Sequence, residues 1–174
     1  KHKMITCFNK FYNLQNYQDK ISKTGLNPDY FIVLDLDDVI FELEKNNFLK
    51  VFSLNKNWDM IGCNNLGWYR DLWALRCKGW LEGDFWSDKE IVKNHSKIHR
   101  IIDPKENLIK VESCFNGLGI YKMKSLKGCK YKGFYENYEK EYSKMQGKQK
   151  CEHVNLHLDM LKKNVIGGYI LSCV

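Results

Sequence analysis

Proline occurs twice and alanine once, at Ala74, in 174 residues, and only three of the 28 basic residues, Arg70, Arg76 and Arg100, are arginine. So little alanine argues against a helix bundle, because the best helix former is almost absent. The core must instead be built from Leu, Ile, Val, Phe, Tyr and Trp, and aromatic residues make up 14% of the chain. The seven cysteines are odd in number and contain no CxxC pair. That spacing indicates neither a disulfide framework nor a structural zinc site, so reduced thiols in a cytoplasm are expected. No apolar run approaches the roughly 20 residues that a membrane span requires, and no signal peptide is visible. A basic stripe is lacking too: the net charge of +7 rests on lysines scattered along the whole chain. That pattern resembles the codon bias of an AT-rich genome more than a nucleic-acid surface, although it favours an anionic ligand. The length fits one domain over residues 1–174.

What is present is organised around DYFIVLDLDDVIF, residues 29–41. Residues 30–34 form an apolar run with β-branched Ile32 and Val33, which reads as a strand buried on both faces. The run stops at Asp35, Asp37 and Asp38. Open α/β sheets place ligands at the carboxyl ends of their strands. Carboxylates crowded there repel one another unless a cation lies between them, and hard oxygen donors suit Mg²⁺ or Mn²⁺, which in turn hold phosphate. An acidic surface turn is the plainer alternative.

Elsewhere, Phe11, Leu14, Tyr17 and Ile21 recur at helical spacing over residues 9–22, and a second helix is expected between Phe41 and Phe52. Residues 58–63 read as another buried strand. GWYRDLWALR, residues 67–76, is a strand or a loop over a pocket. Residues 79–104 look polar enough to be a lid, with one short helix near residues 87–94. An alternating strand over residues 108–115 meets Asn116, Gly117 and Gly119, and glycines there imply a bulge or close backbone approach to a ligand. After a charged, Tyr-rich segment, Val154, Leu158 and Leu161 share a helical face, and the chain ends on apolar YILSCV.

An apolar strand followed by DxD serves two unrelated chemistries. One is metal-dependent glycosyl transfer; the other is haloacid dehalogenase-like phosphohydrolysis, with Asp35 as nucleophile. GDFWSD, residues 83–88, imitates the second metal motif of such phosphatases, but no buried strand precedes it. A non-catalytic carbohydrate-binding remnant is the third reading. DYFIVLDLDDV, GWYRDLWALR, ESCFNGLGIYK and CEHVNLH, in that order, resemble a glycosyltransferase family with the GT-A fold found in large DNA viruses and related to fungal capsule-type mannosyltransferases.

That resemblance implies a Rossmann-like mixed α/β sheet flanked by helices, Mn²⁺ or Mg²⁺, a UDP- or GDP-sugar donor and a glycan or protein acceptor. With the reduced thiols, a cytoplasmic protein is expected, in the host-cell cytoplasm or the virion if viral. Asp35 and Asp37 become the metal-binding pair, with His153 or His157 completing the shell. Asn16, Asn116, Gly117 and Arg76 join Asp35 around the donor, and Asn65, Trp68 and Asp71 face sugar or acceptor. Glu152 is the expected general base, with Asp71 behind it. For the two histidines, the plainer alternative is a pair of solvated imidazoles on a helix surface. Two features depart from the family. Only 34 residues precede Asp35, too few for the strand, helix and strand that cradle the nucleoside, so the amino-terminal part is expected to be incomplete; and Gln15 replaces the arginine of an Arg-Asn pair.

Overall fold

The apolar run forms a strand, β1 (Tyr30–Leu34), followed by β2 (Met60–Asn64), β3 (Ile109–Val111), β4 (Leu118–Lys122) and β5 (Gly168–Ser172). Among the described residues, three short helices, α1 (Lys45–Lys50), α2 (His95–Ile98) and α3 (Met123–Leu126), a 3-10 turn (Val51–Ser53) and one longer helix, α4 (Glu152–Lys162), accompany the strands. The computed structural model describes residues 23–35, 43–64, 67–86, 91, 93–103, 105, 108–133, 150–163 and 167–172.

The strands make one open mixed sheet in the order β1-β4-β2-β5-β3. Only β2 and β5 pair in parallel; β1 with β4, β4 with β2, and β5 with β3 are antiparallel. β1, β2 and β5 therefore point the same way and end at the sheet edge where β4 begins. The mixed α/β class agrees with the sequence reading, but the setting of β1 does not. It lies at the end of the strand order, and of its five residues only Phe31 is buried. A half-covered edge strand and a fully buried one share the same short apolar run, so periodicity does not separate them.

Alternation assigns the two faces. Phe31, Met60, Tyr121 and Ile170 join the larger core, together with Leu156 and Met160 of α4. Ile61, Cys63, Leu118, Ile120 and Tyr169 pack on the other face with Val51 and Trp58, beside Tyr30, Phe48 and Phe52. Asp35 follows Phe31 and Val33 in this alternation and so belongs to the α4 face. Gly119 shares that face, where a β-carbon would stand 2.6 Å from the Tyr121 hydroxyl. The glycine leaves room for a tyrosine ring two residues on.

Residues 79–103 are not a polar excursion. Leu81, Phe85, Ile98 and Ile102 are buried in the larger core, and the Trp80 indole donates to the Ile98 carbonyl at 2.7 Å. Sparse apolar anchors suffice because these four are inserted, while Trp86 and Ile101 stay exposed. α4 is likewise covered on more than one stripe: His153, Val154, Asn155, Leu156, His157 and Met160 are all buried. The expectation of reduced cysteines also needs correction. Cys63 is disulfide-bonded, with a partner outside the described residues, whereas Cys77, Cys114, Cys129 and Cys151 are free and buried. No short spacing announced the bond, since the nearest cysteine in sequence is Cys77. Among the described residues no helix is long and apolar enough to cross a membrane.

Candidate active site

The crossing from β3 to β4 builds the floor of the site. Asn116 is buried and left-handed (φ 57°), a conformation that asparagine tolerates better than most residues, and Gly117 follows at φ 87°. This turn presents the Gly117 carbonyl to the Asp35 amide at 2.8 Å, fixing the backbone at the carboxyl end of β1. The Asn116 side chain ties together three segments. Its Oδ1 accepts from the amides of Arg70 and Asp71, both at 3.1 Å, and its Nδ2 donates to the Cys63 carbonyl at 3.3 Å.

Asp71 answers from the facing loop. Its Oδ2 accepts from the Asn116 amide at 3.2 Å and its Oδ1 from the Ala74 amide at 3.1 Å. Burial raises its pKa, opposed by those two amides and by Arg76. The Tyr69 hydroxyl accepts from the Phe115 amide at 3.1 Å, so residues 69–74 and 115–117 act as one stitched unit.

α4 delivers the third side. Glu152 occupies its first turn, where the helix dipole favours a carboxylate, and its side chain is 35% exposed. His153 stacks on Phe115, with centroids 3.7 Å apart, and meets the edge of Tyr131. The Tyr131 hydroxyl lies 3.3 Å from His153 Nδ1. The segment carrying Tyr131 is held by Asn155, whose Nδ2 donates to the Lys132 carbonyl at 2.5 Å. Burial, then the charge of Glu152 and, more weakly, that of Asp35 raise the Tyr131 pKa. Burial also raises the Cys151 thiol, reinforced by Asp71 and Glu152. Asp35, Asp71 and Glu152 thus act on the same buried neighbourhood, although 117 positions separate the first from the last (152 − 35).

The histidines depart from the plainer reading of two solvated imidazoles. Neither is a solvated surface imidazole, since His153 is 8% and His157 1% exposed. His157 has both ring nitrogens engaged, Nδ1 with Ser113 Oγ at 2.8 Å and Nε2 with the Tyr121 hydroxyl at 3.0 Å, which leaves none for a metal. Burial pulls His157 well below the usual histidine range, helped by His153, and pulls His153 down to about 3. His153 Nε2 lies 3.9 Å from Glu152 Oε1; with a neutral imidazole this is not an ion pair.

Arg76 is likewise committed elsewhere. It is fully buried, paired with Asp84 at 2.9 Å and donating to the Trp73 and Leu75 carbonyls at 3.0 and 2.6 Å. A guanidinium sealed in this way is not open to a diphosphate as the described residues stand. Asp84, the start of the phosphatase-like imitation, is spent on this pair. Trp68 is 52% exposed, tilted against His99 at 5.2 Å and bridged to exposed Ile101, so its ring is open to a ligand.

Asn16, Asp37 and Asn65 lie outside the described residues. Among the described residues no group of three or more His, Cys, Asp or Glu side chains is arranged to hold a metal ion. The oxygen chemistry of Asp35 fits a hard divalent cation, whereas the engaged nitrogens of His157 do not. Sequence reading assigned no role to Tyr131, Tyr121, Ser113 and Phe115, although the last three lie within ESCFNGLGIYK. It also missed Asn64, at the carboxyl end of β2, which is 1% exposed and has no hydrogen-bond partner for either polar side-chain atom among the described residues. No protein-family model, curated protein or solved structure matches this chain.

Proposed function

We propose that the chain is a metal-dependent glycosyltransferase of GT-A type, moving a sugar from a nucleoside diphosphate donor to a hydroxyl of a glycan or protein. The observation that carries this reading is the convergence of Asp35, the Asn116–Gly117 turn, Asp71 and Glu152 beside the carboxyl end of β1. Asp35, with Asp37, would hold Mn²⁺ or Mg²⁺, which when bound supplies positive charge against the leaving diphosphate.

The chain's own residues do the rest. The Asn116–Gly117 turn fixes the Asp35 backbone, and Asp71 keeps the facing loop closed on it. Trp68 offers an apolar ring face to a sugar. Glu152, partly exposed at the start of α4, accepts the proton of the attacking acceptor hydroxyl. In that step the acceptor oxygen bonds to the anomeric carbon, the bond from that carbon to the phosphate oxygen breaks, and the nucleoside diphosphate leaves with the electron pair.

Incubating the protein with a panel of UDP- and GDP-sugars, Mn²⁺ and candidate acceptors tests the reading. Release of nucleoside diphosphate with sugar appearing on acceptor supports it. Phosphate release from simple esters would transfer the case to phosphohydrolysis through Asp35, and glycan binding without turnover would leave a carbohydrate-binding remnant.

A further inference from the structure

We propose that Ser113, His157, Tyr121, Tyr131 and His153 form one directed hydrogen-bond relay that ends on Glu152 and orients its carboxylate, making these five the positioning residues of the site. The proposal rests on the proposed role of Glu152 for its catalytic consequence, but not for its geometry.

Three hydrogen bonds define the series, with closer approach needed between the two tyrosines and at the last step. Ser113 Oγ meets His157 Nδ1 at 2.8 Å and His157 Nε2 meets the Tyr121 hydroxyl at 3.0 Å. The Tyr121 and Tyr131 side chains lie close enough to act on each other's ionisation, with Tyr121 on the donating side. The Tyr131 hydroxyl meets His153 Nδ1 at 3.3 Å, and His153 Nε2 faces Glu152 Oε1 at 3.9 Å. That last separation exceeds a hydrogen bond. Catalytic contacts in a ligand-free site are commonly long and tighten when substrate binds, and Glu152 has the exposure to move.

A neutral imidazole has one donor and one acceptor nitrogen, and a hydroxyl has a single proton to give. With each hydroxyl donating onward to its neighbour in the series, the direction of one link sets the others. A carboxylate at the end requires a donor facing it, so His153 carries its proton on Nε2. Its Nδ1 then accepts from the Tyr131 hydroxyl, whose oxygen accepts from Tyr121. Tyr121 in turn accepts from His157 Nε2–H, and His157 Nδ1 accepts from Ser113. The reverse order would aim a lone pair of His153 at the carboxylate. Hydrogen bonds aligned in one direction polarise and strengthen one another.

Both imidazoles are kept neutral by burial, so the relay holds Glu152 without draining its proton. Two further features make room for it. Gly119 is bare where a β-carbon would meet the Tyr121 hydroxyl, and Phe115 stacks on the His153 ring and fixes its plane.

Long-range ¹H–¹⁵N ring correlation spectra of the full ¹⁵N-labelled chain at pH 7 test the relay without any assay of turnover. The expected result is the Nε2–H tautomer for both His153 and His157, with Tyr131→Phe driving His153 to a mixture of tautomers. A His153 or His157 protonated on Nδ1, or a His153 tautomer unmoved in Tyr131→Phe, overturns the proposal. Should Tyr131→Phe not fold, the parent tautomers decide alone. Once a donor and acceptor are found, Tyr131→Phe is expected to lower kcat roughly 10- to 100-fold with donor KM unchanged, the cost of a misplaced group. An unchanged kcat overturns the positioning role. If the parent transfers no sugar while both tautomers are as expected, the glycosyltransferase reading falls and the relay stands.

Discussion

Asn116 and Asp71 exchange hydrogen bonds in both directions: Asn116 Oδ1 accepts from the Asp71 amide at 3.1 Å, and Asp71 Oδ2 accepts from the Asn116 amide at 3.2 Å. Each residue satisfies the other's backbone while its side chain closes the loop. The pair therefore makes the site a property of tertiary structure, since it joins the turn before β4 to a segment 45 residues earlier.

Replacing Asn116 separates its two tasks. Asn116→Ala removes three side-chain hydrogen bonds and forces a β-carbon to stay left-handed, so a loss of about 4–5 kcal/mol is expected, at about 1 kcal/mol per bond plus 1–2 for the backbone. Asn116→Gly loses the same bonds but tolerates the φ of 57°. It is expected to be about 1 kcal/mol more stable than Asn116→Ala in urea unfolding.

The Arg76–Asp84 pair is expected to govern stability rather than donor affinity. Breaking a buried ion pair from one side strands the other charge, at a typical cost of about 3–5 kcal/mol, whereas replacing both partners with apolar residues of similar volume is often neutral. Asp84→Leu alone should therefore unfold at much lower urea than the double variant Arg76→Met/Asp84→Leu. If the double variant folds well yet loses nucleotide binding, the guanidinium reaches the ligand after all.

Cysteine labelling separates two populations. Cys77, Cys114, Cys129 and Cys151 are buried, with burial raising each thiol's pKa, so they should resist iodoacetamide in the native protein and react after denaturation. Cys63, being disulfide-bonded, should react only once reductant is added. Peptide mass spectrometry reads both outcomes, and labelling of Cys63 in denaturant without reductant would contradict the bond.

Glu152→Gln distinguishes chemistry from binding. Loss of a general base typically costs about 10²–10⁴-fold in rate without weakening ground-state binding. The variant is expected to bind donor like the parent, by calorimetry, and to transfer slowly. Unchanged transfer would return Glu152 to an ordinary helix-start carboxylate.

The elements that sequence reading located are those whose burial follows a period. β1 and β2 show as apolar runs, and α4 shows through Val154, Leu158 and Leu161. The turn at Asn116 and Gly117 was legible from its chemistry. What escaped depends on partners distant in the chain. The spacing of His153 and His157 is the same for a metal site, a solvated face or a buried relay. Only Ser113, Tyr121 and Tyr131, 44, 36 and 22 positions from their histidine partners, decide between them. Arg76 reads as a phosphate ligand until Asp84 is seen to seal it, and β1 reads as central until its neighbours are counted.

The same two histidines make stability depend on pH with a definite sign. Their pKa values are depressed by burial in the folded chain, to about 3 for His153 and well below the ordinary value of 6.5 for His157. Above pH 6.5 both are neutral whether folded or not, and their contribution is fully present. As pH falls below 6.5 the unfolded chain takes up two protons that the native chain refuses, so stability declines until the native values are reached. For His153 the slope approaches about 1.4 kcal/mol per pH unit, about 2 kcal/mol between pH 7.5 and 5, and His157 adds to the decline in the same direction. Asp71 acts in the opposite sense at the acid end, because burial raises its pKa and the native state there binds the proton more readily. Urea midpoints measured from pH 7.5 to 5 should therefore fall steadily in the parent. His157→Gln retains a donor and an acceptor but does not titrate, and should show a shallower decline than the parent. An equal decline in parent and variant would mean that His157 is protonated in the folded chain, and would remove it from the relay.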